Sequence, residues 1–292
     1  MADLSRLVPP VDPRTDLPAF GTLAPVTALD EVTTRVLAAN PSPMTLDGTN
    51  TYVLHPPGSG VAAIVDPGPT DPDHLAQVQA VLRDLDAWPT AVLVTHHHVD
   101  HAAAAQAFAD HFSCRVHAAS PAVAGPDGHV LSDDSRIDLP GLLVAAVATP
   151  GHCGDHLAFR LGTGALLTGD HVLGRGTSVV AHPDGDLAAY LASLRRVLEL
   201  GPDALFPGHG PELTADPTAV VEYYLVHREF RQQQILAVLG DGPAAPADLV
   251  ATIYADVDPV LWPAAEASTR AALDHLADAD RVVWDGALAR LP

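Results

Sequence analysis

Lysine is absent from this chain, and cysteine occurs only twice, as Cys114 and Cys153. Two cysteines cannot build a disulfide framework, so a reduced environment is the simpler expectation and the fold must rest on an apolar core. Nothing approaches the ~18 consecutive apolar residues that a membrane span requires. The first residues show no cationic segment followed by an apolar one, so no secretory leader is expected and the cytoplasm is the default compartment. Aromatic residues are scarce at 5%, yet hydrophobic residues reach 48% and charged ones only 17%, which excludes a disordered chain. At 292 residues the chain has room for one large domain, or a medium one with a small appendage.

Positive charge is the other scarcity. All 15 cationic side chains are arginine, and they face 36 carboxylates for a formal charge of -21. Generalised attraction to nucleic acid or to an anionic membrane is therefore not expected. No repeat of solenoid period occurs, which argues against arrays and propellers. Histidine, by contrast, is abundant: 16 residues, roughly twice what average composition gives.

Residues 1–20 are rich in proline and charge and read as a tail or surface strap. From about residue 50, short apolar runs at 51–54, 61–65 and 91–95 alternate with a helical pattern on which Leu75, Val78, Leu82 and Leu85 share a face. Residues 102–111 read as a helix, and 142–149, 156–161 and 165–168 as strands. Residues 186–200 form an amphipathic helix with Asp186 as its cap, and 204–206 a short strand. This is an α/β rhythm. Beyond Pro217 the texture changes to helical patterns over 220–239, 246–255 and 262–279, closed by a possible hairpin over 281–291. The expected division is a tail over 1–20, a catalytic domain over 21–215 and a winged-helix-like appendage over 216–292.

Chemistry concentrates where polar residues interrupt strand ends. His96, His98, Asp100 and His101 fall within six residues at the exit of one strand, and His152, Asp170 and His209 each follow another beside a glycine. Imidazole and carboxylate suit Zn²⁺, with manganese or iron also compatible, and seven such groups exceed the needs of one tetrahedral ion. Two ions are expected: His96, His98 and His152 around the first, Asp100, His101 and His209 around the second, and Asp170 bridging. A pair of ions with a water or hydroxide between them is a hydrolytic centre for an ester, thioester or phosphodiester, with Asp100 and Asp170 as the catalytic carboxylates.

In these motifs, spanning residues 44–210, the chain resembles the metallo-β-lactamase superfamily. The run Gly48-Thr49-Asn50-Thr51-Tyr52, the turn Val65-Asp66-Pro67-Gly68, the segment 169–174 and the stretch 227–236 resemble its lactamase-beta-2-like branch. That resemblance implies an αββα sandwich with a carboxy-terminal winged-helix-like domain. It also implies either single-strand endoribonuclease activity or hydrolysis of an acyl thioester, since both occur among such proteins. Residues 216–292 hold 12 carboxylates against five arginines, a poor surface for an RNA backbone. Two departures stand out. Ala103 and Ala104 replace a usual glycine pair, and Asp170 stands where β-lactamases of the cysteine-ligand type would need cysteine, which disfavours antibiotic hydrolysis. Asp66 is either a carboxylate that orients the metal loop or a plain Pro-Gly turn residue. His97, His156, His171 and Cys153 lie close in sequence but outside the expected donor set.

Overall fold

Along the strand Val61–Val65, Ala62 and Ile64 face one way and Ala63 and Val65 the other, and all four are buried. A strand buried on both faces needs a layer on each side, and the molecule supplies four layers in the order helix, sheet, sheet, helix. The structure, a computed structural model, describes residues 4–292.

The first sheet runs in chain order through β1 (Val26–Ala28), β2 (Thr33–Leu37), β3 (Asn50–Leu54), β4 (Val61–Val65), β5 (Trp88–Leu93), β6 (Arg115–Ala118) and β7 (His129–Val130). Its pairs are antiparallel as far as β4 and parallel from there to β7. The second comprises β8 (Arg136–Leu139), β9 (Leu142–Ala148), β10 (Leu157–Leu161), β11 (Ala165–Gly169) and β12 (Ala204–Pro207), antiparallel except for β11 with β12. Between the sheets, Tyr52, Leu54, Val65 and Leu93 pack on Val144, Leu157, Phe159 and Phe206. The outer face of the first sheet is covered by α1 (Pro72–Asp84), α2 (Val99–Ala102), α3 (Ala105–Phe112) and α4 (Pro121–Ala124), with Phe108 and Phe112 against Ile64 and Val92.

Over the second sheet lies α5 (Leu187–Leu200), which buries Leu187, Tyr190, Leu191, Leu194 and Val197. The Asp186 carboxylate caps it by accepting from the Ala189 amide at 2.8 Å, a contact worth about 1 kcal/mol. The same core continues through α6 (Pro217–Leu239), α7 (Pro246–Ile253) and α8 (Trp262–Asp278) to the hairpin of β13 (Val283–Trp284) and β14 (Ala289–Arg290). Among the described residues no helix is long and apolar enough to cross a membrane.

One expected helix is in fact two. Residues 102–111 are interrupted because the Ala104 amide donates to Gly68 O at 3.1 Å, outside the helix, instead of to Asp100 O four residues back. At the amino terminus Arg14 reaches across the fold, donating to Leu173 O at 2.9 Å and Gly176 O at 2.7 Å.

Candidate metal centre

The seven predicted residues converge at one edge of the sandwich, where strands of both sheets end. His96 and His98 follow β5, in the loop that leads into α2. Asp100 and His101 occupy the single turn of α2, His152 the β9–β10 turn, Asp170 the residue after β11, and His209 the turn after β12. Glycines open the space. Gly151 adopts φ +133°, and a Cβ there would fall 2.3 Å from the Tyr190 backbone. A Cβ on Gly208 would lie 2.6 Å from His101 and 2.7 Å from Asp170 Oδ1, inside the cluster itself.

Two trios result. In the first, His98 Nδ1 lies 3.0 Å from His96 Nε2 and 3.0 Å from His152 Nε2. In the second, His209 Nε2 lies 3.2 Å from His101 Nε2 and 3.1 Å from Asp100 Oδ2. Asp170 stands between them, with Oδ1 3.4 Å from Nε2 of both His101 and His209 and Oδ2 3.8 Å from His152 Nε2. Two donors on one zinc at about 2.0–2.1 Å and near the tetrahedral angle sit about 3.3 Å apart, so these spacings suit a cation.

Supporting hydrogen bonds say which ring nitrogens carry lone pairs. His152 Nδ1 donates to Val179 O at 2.6 Å, and His209 Nδ1 to Gly48 O at 3.1 Å. His101 Nδ1 donates to Asp66 Oδ2 at 2.8 Å. His96 Nδ1 lies 2.9 Å from Thr95 Oγ1, whose own proton goes to Asp66 Oδ2 at 2.8 Å, leaving that hydroxyl to accept from the imidazole. A neutral imidazole that donates through one nitrogen presents a lone pair on the other, so each of the four rings, when neutral, turns an acceptor Nε2 inward. Asp170 Oδ1 is buried without any hydrogen-bond donor. Lone pairs and carboxylate oxygens facing one another at these distances repel unless a cation or a shared proton lies among them, and this donor set fits a divalent cation.

Charge divides the trios. Burial holds His96 well below the ordinary imidazole pKa, and burial with neighbouring His152 brings His98 down to about 4. In the second trio burial also opposes protonation, but carboxylates outweigh it. Asp170 and Asp66 hold His101 well above the ordinary value, and Asp170 with Asp100 raises His209 to about 9.

A model of the metallo-beta-lactamase superfamily matches residues 44–209, the segment that contains all seven side chains. The chain belongs to that superfamily. The beta-lactamase associated winged helix domain matches residues 245–290, the segment of α7, α8 and the terminal hairpin. A Beta-lactamase-like protein 2 homolog of Drosophila melanogaster is 36% identical, covering 82% of this chain and 86% of the relative. A protein of Emericella nidulans named Thioesterase pkgB is also 36% identical, over 72% of this chain and 60% of its own length. The fold matches a metallo-beta-lactamase family protein of Thermus thermophilus with a TM-score of 0.75 at 23% identity, over 91% of this chain and 100% of that one. These matches bear out the expected fold, an α/β sandwich of αββα layers with a small helical winged-helix domain after it. The chain is a metallohydrolase of the superfamily.

Within this superfamily member, parts of the site had no signature in the sequence. The carbonyls of Val179 and Gly48 orient two imidazoles, and a backbone carbonyl looks the same beside any side chain. Thr95 reads as the end of a strand, yet it links His96 to Asp66. The open alternative for Asp66 resolves toward support: it holds the Thr95 amide and hydroxyl and the His101 ring. The Gly-Thr-Asn-Thr-Tyr run also gains a physical role. Asn50 Nδ2 donates to Pro207 O and Gly210 O, both at 2.8 Å, and so clamps the turn that carries His209. Tyr52 adds a hydroxyl contact to Pro207 O at 2.7 Å.

The remaining neighbours adjoin the trios without belonging to their donor sets. His156 Nε2 accepts from the Asp170 amide at 3.1 Å. His97 faces Asp155 at 2.7 Å on the surface, and His171 is buried with neither ring nitrogen hydrogen-bonded. Cys153 is buried, and burial beside Asp155 pushes its thiol pKa far up, which makes it a packed residue rather than a nucleophile.

Proposed function

We propose that this metallohydrolase binds two divalent cations, zinc in the first instance, and hydrolyses a small-molecule acyl thioester. The observation that carries the reading is the pair of trios with Asp170 between them. His96, His98 and His152 would hold one ion, Asp100, His101 and His209 the other, and Asp170 both. Bound there, such ions supply Lewis acidity and activate water. The chain's own residues do the rest. Asp66 fixes His101 directly and His96 through Thr95, so neither ring must reorganise during turnover. Asp100, with 26% of its side chain exposed, is the carboxylate of the second trio that meets the cleft, and with Oδ2 turned to the trio its other oxygen can take a proton.

Two further points support a thioester over RNA. The related protein from Emericella nidulans is named a thioesterase. The 12 carboxylates and five arginines of residues 216–292 give that segment a net negative charge, which disfavours a long polyphosphate backbone. The same reading divides the chain into a tail over 1–20, a catalytic sandwich over 21–215 and an appendage over 216–292.

The test is a substrate panel with the full chain, reloaded with zinc after chelation: acyl-pantetheine and acyl-coenzyme thioesters, lactoylglutathione, single-stranded RNA and a chromogenic β-lactam. Free thiol should accumulate only with thioesters, and only in the reloaded protein. Cleavage of RNA with every thioester left intact would reverse the substrate assignment.

A further inference from the structure

Between the sandwich and the carboxy-terminal helices lies a cavity of about 330 Å³, a volume suited to one small organic group. One side is apolar, formed by Met44, Leu46, Leu173 and Leu261. The other carries Arg175, Arg228 and Arg231, and among the described residues no carboxylate lines the space.

These arginines differ from four that are ion-paired in the structure. Arg14, Arg35, Arg196 and Arg270 each pair with an acidic side chain at 2.6–2.8 Å. Arg175, Arg228 and Arg231 have no carboxylate partner among the described residues, although the chain has 36 carboxylates for 15 arginines. Arg228 is only 8% exposed, and the Nε atoms of all three are buried without a hydrogen-bond partner. Their positions are nonetheless fixed. Arg228 donates to Ser178 O and lies over the Tyr190 ring at 4.9 Å, while Arg231 lies over Tyr254 at 4.4 Å and donates to Gln234 Oε1 at 2.8 Å. Half-buried His227 feels the accumulated charge: burial first, then Arg228, Arg231 and Arg14, lowers its pKa to about 3.

The cavity adjoins the trios through one loop. Ser178 O accepts from Arg228, and the next carbonyl, Val179 O, accepts from His152 Nδ1. Fixed guanidiniums without counter-charges beside an apolar wall suit a ligand with an oxyanion at one end and a hydrocarbon stretch next to it.

Building on the thioester reading, we propose that this cavity is a substrate subsite that binds a carboxylate or phosphate group of the thioester on Arg228 and Arg231. The oxyanion can belong to the acyl part or to the thiol part, and matched substrates tell them apart. Butyryl-pantetheine carries neither charge, glutaryl-pantetheine carries the acyl carboxylate, and butyryl-phosphopantetheine the thiol-side phosphate. The zinc-loaded full chain should prefer one charged substrate over the neutral one by about tenfold in kcat/KM, mostly through KM, as loss of a charge-assisted hydrogen bond implies. R231Q should reduce that ratio below about threefold. The ratio is taken within each variant, so a general loss of activity cancels. Titration of the metal-free chain with glutarate and with inorganic phosphate gives a second reading, in which saturable binding is present in the parent and lost in R231Q. Thioester turnover with no preference for charge overturns the subsite while leaving the thioesterase reading intact. If no thioester is turned over, that reading fails, and the anion titration alone decides the cavity, with absence of saturation overturning it.

Discussion

The two trios of the metal centre are built from nearly the same side chains but stand in opposite electrostatic states. His96, His98 and His152 form a wholly imidazole group in which burial drives protons off, whereas Asp170 holds protons on His101 together with Asp66 and on His209 together with Asp100. Without metal, a proton can stand in for a cation in the second trio and not in the first. The first trio is thus unprotonated at neutral pH, and the second would release protons on taking up a cation.

The largest effect should come from the residue common to both. Asp170→Ala removes the carboxylate that reaches both trios, and kcat/KM should fall by about a thousandfold or more, with metal content by elemental analysis below two per chain. A variant turning over at the parent rate would show that the trios work without a bridge.

Asp66→Ala comes next. It removes the partner of His101 and, through Thr95, that of His96, so both ions should bind about 10–100-fold more weakly in chelator competition. Thr95→Val sharpens the contrast, since it leaves the Asp66–His101 contact in place. Weakening by about tenfold, confined to one of two binding steps, is expected. Equal weakening of both steps would contradict the separate supports.

The smallest effect concerns acidity in the metal-free protein. His209, raised from 6.5 to about 9, contributes stability that is fully present below pH 6.5 and lost as pH rises through about 9. His98, lowered to about 4, contributes in the opposite sense: burial of the neutral ring becomes a penalty as pH falls below 6.5. Thermal unfolding of chelated protein should therefore peak near pH 6.5 as far as these rings decide it, and zinc should flatten the alkaline decline. A midpoint that climbs steadily from pH 6.5 to 9 without metal would refute the protonated second trio.

Legibility in the sequence followed the same physical divide. Strands buried on both faces, such as β4, announce themselves as short apolar runs, and the donors announce themselves as polar residues where those runs stop. An α/β class followed from that punctuation, and the αββα layering came with the family resemblance. The strands β1, β2 and β6 to β8 left no such trace. They are short or carry polar residues inward: β2 buries Arg35, which reaches Glu212 at 2.8 Å and Thr27 at 3.0 Å, a pairing across 177 positions for which no local pattern exists. The split of the expected helix over 102–111 was equally hidden, because its cause is a carbonyl 36 residues earlier.

That carbonyl has a consequence for anyone who would transplant the centre into another scaffold. Gly68 O accepts from Ala104, and the Gly68 amide donates to His101 O at 3.1 Å, so the turn bearing Asp66 and the loop bearing four donors are stitched in both directions. They form one piece of machinery drawn from two stretches of chain. Grafting the histidine loop without its stitched companion would deliver the right side chains on a backbone free to drift.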